Sequence, residues 1–117
     1  MDFRNYYYYV PVNFYETPEM VLIDHEPNGD SATVLVLALA KIHTRTVTKN
    51  DDGTFTIVTD DGTFTDTEVM EILSSFGYRA NHVKYTRALD VIARFPPFDY
   101  LAYSDEERDA KTPEGYR

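Results

Sequence analysis

From Ala32 to Ile42 the chain reads Ala, Thr, Val, Leu, Val, Leu, Ala, Leu, Ala, Lys, Ile, so nearly every side of a helix built from it is apolar. Such a helix belongs in the middle of a core. Ahead of it, Asn28 and Gly29 favour the left-handed backbone of a chain reversal, and Asp30 or Ser31 offers a side-chain acceptor to the first orphan amides. At about eleven residues the run is well short of the roughly 20 needed to cross a bilayer. His43, Thr44 and Arg45 follow at once. We therefore read a central core helix and not a membrane span.

Patterns on either side predict the other elements. Tyr6 to Phe14 is rich in aromatic and β-branched residues and holds one proline, Pro11, which reads as a strand near a sheet edge. Alternation sets Tyr6, Tyr8 and Val10 on one face and Tyr7 and Tyr9 on the other. Thr17 offers a cap, Pro18 suits the first helical position, and Met20, Leu22 and Ile23 give a short helix a buried side, ending near Pro27. Thr44 to Lys49 and Thr54 to Thr59 are β-favouring and meet through Asn50-Asp51-Asp52-Gly53, a hairpin signature. The string Asp-Asp-Gly-Thr-Phe-Thr at Asp51 returns at Asp60, which predicts two similar turns and not a repeat architecture.

Thr65 and Glu68 have capping-box spacing ahead of Val69, Met70, Ile72, Leu73 and Phe76, so a helix is expected from about Asp66 to Phe76. Gly77 can stop it. Asn81 can cap a second helix whose apolar positions are Val83, Tyr85, Ala88, Leu89, Ile92 and Phe95. Two helices with a short turn between them make a helix-turn-helix candidate. Pro96-Pro97 ends the second, Phe98 to Tyr103 reads as a returning strand, and Ser104 onward reads as a frayed charged tail or linker. One domain over residues 1–103 and a tail over 104–117 account for a chain of this length.

Composition narrows the chemistry. With 43% hydrophobic and 15% aromatic residues the chain has ample material for a core, and without cysteine it has no disulfide and no thiolate metal site. The N-terminus lacks the basic and apolar regions of a secretion signal, which points to the cytoplasm. The net charge of −9 opposes a protein coated with nucleic acid over its whole surface. That charge is unevenly spread. Glu16 to Asp30 carries five acids and no Lys or Arg, and Asp51 to Glu71 carries seven and none, whereas Arg79 to Arg94 holds four bases against Asp90 alone.

The order of strand, short helix, Asn28-Gly29-Asp30 turn, apolar helix, hairpin, capped helix, turn and basic helix resembles the N-terminal domain of phage replisome organisers, a DnaD-like winged-helix family. Four stretches carry the resemblance: Tyr6 to Phe14 with Thr17 to Ile23, the Asn28-Gly29-Asp30 turn with its apolar helix, Asp66 to Phe76, and Ala88 to Phe95. Together they span roughly residues 5 to 100. The resemblance implies an α+β winged helix-turn-helix with about four helices, a small antiparallel sheet and a β-hairpin. It also implies a role in replication initiation, with the domain binding origin duplex DNA or self-associating and the machinery including replication proteins of the host. In that family a further C-terminal domain engages single strands. Such a domain is expected either to follow in a longer protein or to be dispensed with in a short relative.

In a helix-turn-helix the second helix enters the major groove, its first residues meeting base edges and its longer cations meeting phosphates. This assigns Asn81, His82 and Lys84 to base edges or nearby phosphates, Arg79 and Arg87 to the backbone, and Arg94 to a further contact. The competing reading is an ordinary solvated face whose bases pair with the acidic body. Tyr6, Tyr7, Tyr8 and Tyr9 form an aromatic row that core packing and strand propensity account for, while its exposed half suits an oligomer interface, or less readily a stacking platform for single strands. Two other functions fit the acidity: an interaction module of the replication machinery without DNA contact, or a phage protein that mimics DNA. The Asp-Asp-Gly turns lack the ligand spacing of an EF-hand, and His25, His43 and His82 are too far apart for a local metal pair. The glycines form no phosphate loop or dinucleotide fingerprint, and there is no Gly-x-Ser-x-Gly. We expect no metal, no cofactor and no enzymatic activity.

Overall fold

The computed structural model describes residues 6–111. Among these residues the architecture is α+β, with five α-helices and a three-stranded antiparallel sheet. In order these are α1 (Pro18–Asp24), α2 (Gly29–Lys41), β1 (Thr44–Lys49), β2 (Phe55–Thr59), β3 (Gly62–Thr65), α3 (Asp66–Ser75), α4 (His82–Arg94) and α5 (Asp105–Lys111). Short 3-10 turns occupy Phe14–Glu16 and Phe98–Tyr100. No helix among the described residues is long and apolar enough to cross a membrane.

The core lies between α2, α4 and the sheet. Leu35, Val36 and Leu39 of α2 are buried together with Tyr85, Leu89 and Ile92 of α4 and with Val47, Phe55 and Ile57 of the strands. Each fully buried Leu or Ile contributes about 2 kcal/mol by leaving water. Tyr85 is buried as well, and its hydroxyl donates to the Asp66 carbonyl at 2.8 Å, which satisfies the one polar atom it brings inside.

The hairpin forms as the sequence predicts, and the second Asp-Gly turn adds β3 to make a meander in the order β1-β2-β3. Gly53 and Gly62 sit at φ 88° and 138°, conformations that a side chain resists. The capping box is complete: the Glu68 amide donates to Thr65 Oγ1 at 3.1 Å and the Thr65 amide to Glu68 Oε1 at 2.9 Å. Gly77, at φ 95°, closes α3 with the amides of Gly77 and Tyr78 donating to the carbonyls of Ser74 and Leu73. Asn81 caps α4 by accepting from the Lys84 amide at 2.8 Å.

Several expectations need correction. Tyr6 to Phe14 is not a strand, and neither is Phe98 to Tyr103: the two segments meet in a single bridge, Tyr9 with Ala102. Pro11 has no amide to extend the ladder, and the chain turns into a 3-10 helix at Phe14. The predicted alternation nonetheless survives in part, with Tyr6, Tyr8 and Val10 packed on the core and Tyr7 56% exposed. Thr17 does not cap α1, because its hydroxyl donates back to the Phe14 carbonyl.

Helix α2 begins three residues before Ala32. Asn28 is the N-cap, at φ −110° and without a side-chain cap bond, so Asp30 and Ser31 lie inside the helix. Gly29 is required there by crowding and not by a left-handed backbone: a Cβ would stand 2.5 Å from the Ile23 carbonyl oxygen and 2.6 Å from that of Asp24. Nor is α2 enclosed on every side. Val34 is 59% exposed and Lys41 is exposed, so one stripe of it faces outward.

The left-handed residue at the end of α2 is His43, at φ 55°. Its ring lies 4.5 Å from that of Tyr103 and 4.7 Å from that of Tyr6, and its Nε2 meets the Tyr7 carbonyl at 2.6 Å. These contacts tie the first described residues to the start of β1. The stretch after Ser104, expected as a frayed tail, is helical over Asp105–Lys111. Ser104 Oγ accepts from the Glu107 amide, the Glu107 carboxylate accepts from the Tyr103 amide, and Arg45 of β1 holds Glu107 at 2.6 Å. Arg45 also pairs with Asp60 through two nitrogens, at 2.6 and 2.9 Å. Residues 112–117 lie outside the described ones.

Candidate nucleic-acid interface

Tyr85, Ala88, Leu89, Val91 and Ile92 of α4 turn inward and leave Val83, Arg87, Asp90 and Arg94 on one outer face, spaced i, i+4, i+7 and i+11. Lys84 and His82 stand exposed beside its first turn. The ammonium of Lys84 and the guanidinium of Arg87 make no hydrogen bond or ion pair with any described residue. No acid occupies the first turn of α4, so the positive end of the helix dipole adds to those two charges.

The remaining predicted cations are occupied. Arg79 donates to the carbonyls of Ser74 and Tyr78 at 3.0 and 3.1 Å, closing the end of α3. Arg94 pairs with Glu26 at 2.5 Å and with Asp90 at 3.4 Å, and Lys49 of β1 reaches Asp90 at 3.0 Å. These partners, Glu26 first and then Asp90, push the Arg94 guanidinium further above its ordinary value. Asn81 is half committed, since its carboxamide oxygen holds the cap.

Two depressions follow this face. One of about 440 Å³ is lined by Asn28, Asn81, His82, Val83, Lys84 and Arg87. The other, about 460 Å³, runs from Asn28 and Arg87 past Thr86, Asp90 and Arg94, with Lys49, Gly53 and Phe55 of the hairpin on its far bank. Because Asn28 and Arg87 line both, the two form one trough along α4. Its first half carries free positive charge. Its second half is neutralised by the chain Lys49–Asp90–Arg94–Glu26, and the turn beside it carries exposed Asp51 and Asp52. Asp52 is held below its ordinary value by the hydroxyl and amide of Thr54.

The sequence reading did not place Asn28 at this site, and it wrongly counted Val83 among the inward apolar positions of α4. Asn28 reaches the trough only because the α1–α2 junction packs against the start of α4. Val83 is 53% exposed in the first turn, where an apolar residue has no core to fill but suits a thymine methyl. The tyrosine row is mostly consumed within the molecule: Tyr6 bonds Asp61, Tyr9 bonds Asp105 under Arg108, and Tyr8 is half-buried, so Tyr7 is the exposed one. Among the described residues no three His, Asp or Glu gather into a group that would hold a metal ion.

The chain matches no protein-family model, no curated protein and no solved structure.

Proposed function

We propose that this chain is the DNA-binding domain of a phage replication initiator of the replisome-organiser kind, a winged-helix-like domain that reads duplex DNA with the first half of α4. The observation that carries the reading is that Lys84 and Arg87 stand exposed and unpaired beside a capped helix start, on a protein of net charge −9 in which Arg94 of the same helix and Arg79 ahead of it are bound to partners. A solvated face in an acidic protein gains from pairing its cations with nearby acids, and these two are left out. In the proposed complex α4 enters the major groove, with Lys84 and Arg87 on phosphates and Asn81, His82 and Val83 toward base edges. The hairpin bank of the trough then lies beside the duplex as a wing does.

The test is fluorescence anisotropy of a labelled duplex, titrated across salt concentrations. Each phosphate contact contributes about 0.9 to the salt slope, which at about 0.1 M salt corresponds to roughly eightfold in affinity. Lys84→Ala and Arg87→Ala should each show that loss and a shallower slope. Absence of binding by the unaltered protein at low salt, or variants that bind as tightly as it does, overturns the proposal.

A further inference from the structure

The outer stripe of α2 is apolar in its middle and charged at its two ends. Asp30, Val34, Leu37, Ala38 and Lys41 fall at i, i+4, i+7, i+8 and i+11, so all lie on one side of the helix. Val34 is 59% exposed, and with Leu37, Ala38, Phe76 and Tyr78 it lines a largely apolar groove of about 300 Å³ between α2 and the end of α3. Lys41 stands at the rim of that groove, and the side chains of Asp30 and Lys41 make no hydrogen bond or ion pair with any described residue.

This stripe is self-complementary about its own midpoint. A two-fold axis midway between Val34 and Leu37 sets Val34 of one copy on Leu37 of the other, and the same axis sets Asp30 against Lys41 at both ends. The opposite, parallel arrangement brings Asp30 to Asp30 and Lys41 to Lys41. We propose that the chain forms an isologous dimer in which α2 packs antiparallel on α2 of a second copy, its apolar stripe filling the partner's groove. The charge order selects a second copy over another apolar segment, because both ends are satisfied at once by the identical helix. A helix about 20 Å long offers only a few hundred Å² per partner, so the dimer dissociates at micromolar concentrations or above.

Sedimentation equilibrium of the whole chain from about 10 μM to about 1 mM tests this directly. The unaltered protein should show a monomer–dimer equilibrium that Val34→Glu abolishes and Tyr7→Ser leaves in place. Asp30→Lys and Lys41→Glu should each weaken dimerisation roughly tenfold or more, since each places two like-charge pairs in the interface. An equimolar mixture of those two variants should dimerise again, because every contact across the mixed pair is then between opposite charges. Circular dichroism confirms that each variant is folded. A monomer throughout the range, single-charge variants that associate like the unaltered protein, or a mixture that fails to recover overturns the proposal. None of these results depends on whether DNA is bound.

Discussion

Replacing Gly29 by alanine isolates the crowding at the α1–α2 junction. The added Cβ would meet the Ile23 oxygen at 2.5 Å, the Asp24 oxygen at 2.6 Å and the Asp24 carbonyl carbon at 2.9 Å, all backbone atoms that cannot rotate away. Relief requires the end of α1 to move several tenths of an ångström away from α2, against the packing of Met20 and Ile23. Overpacking of this kind costs about 1–3 kcal/mol, whereas alanine's helical advantage over glycine returns at most about 1 kcal/mol. The net expectation is a loss of about 1–2 kcal/mol, or roughly 4–8 °C in melting temperature. Urea denaturation and thermal melts followed by circular dichroism measure it. Equal or greater stability in Gly29→Ala would refute the crowding argument and leave the glycine without a structural reason. Because Asn28 lines the trough next to this glycine, the same variant should also weaken duplex binding.

Asp90→Asn should release Lys49 and loosen Arg94, tightening duplex binding several-fold and steepening the salt slope by up to about 0.9 for each freed cation; an unchanged slope in anisotropy titrations would count against a continuous trough. Glu107 is held below its ordinary value of 4.5: partial burial opposes ionisation, and Arg45, the Tyr103 amide and Lys111 outweigh it. A depressed carboxyl contributes stability that is full above the unfolded value and is lost as pH falls through the folded one. Urea midpoints should therefore drop below about pH 4.5, and Glu107→Gln should lower stability at pH 7 while flattening the acid limb; parallel pH profiles for the two proteins would refute the assignment.

What was legible in the sequence is what is encoded locally. Thr65 with Glu68, Asn81 before α4, Gly77 after α3 and the two Asp-Gly turns each act within a few residues, and each appears where its pattern places it. The strand expected from Tyr6 to Phe14 fails because its tyrosines find partners far along the chain, at His43, Asp61, Ala102 and Asp105, and these reward an irregular path. Helix α5 carried a readable signal, Ser104 three residues before Glu107, that the density of charge around it concealed. On α4 the apolar spacing correctly turned Lys84 and Arg87 outward but misplaced Val83, which lies ahead of the part of the helix that the core covers. That Arg94 belongs to Glu26, 68 positions away, is a fact of the fold alone.

The backbone amide of Gly29 has one more effect. In an Asn-Gly pair the glycine nitrogen is the nucleophile that attacks the asparagine side chain and expels ammonia, and water then opens the resulting succinimide to an acid. Here Gly29 is buried and its nitrogen donates to the Glu26 carbonyl at 2.9 Å. The native chain thereby shields Asn28 from deamidation, whereas an unfolded molecule ages at this bond and would refold with a new carboxylate facing Arg87.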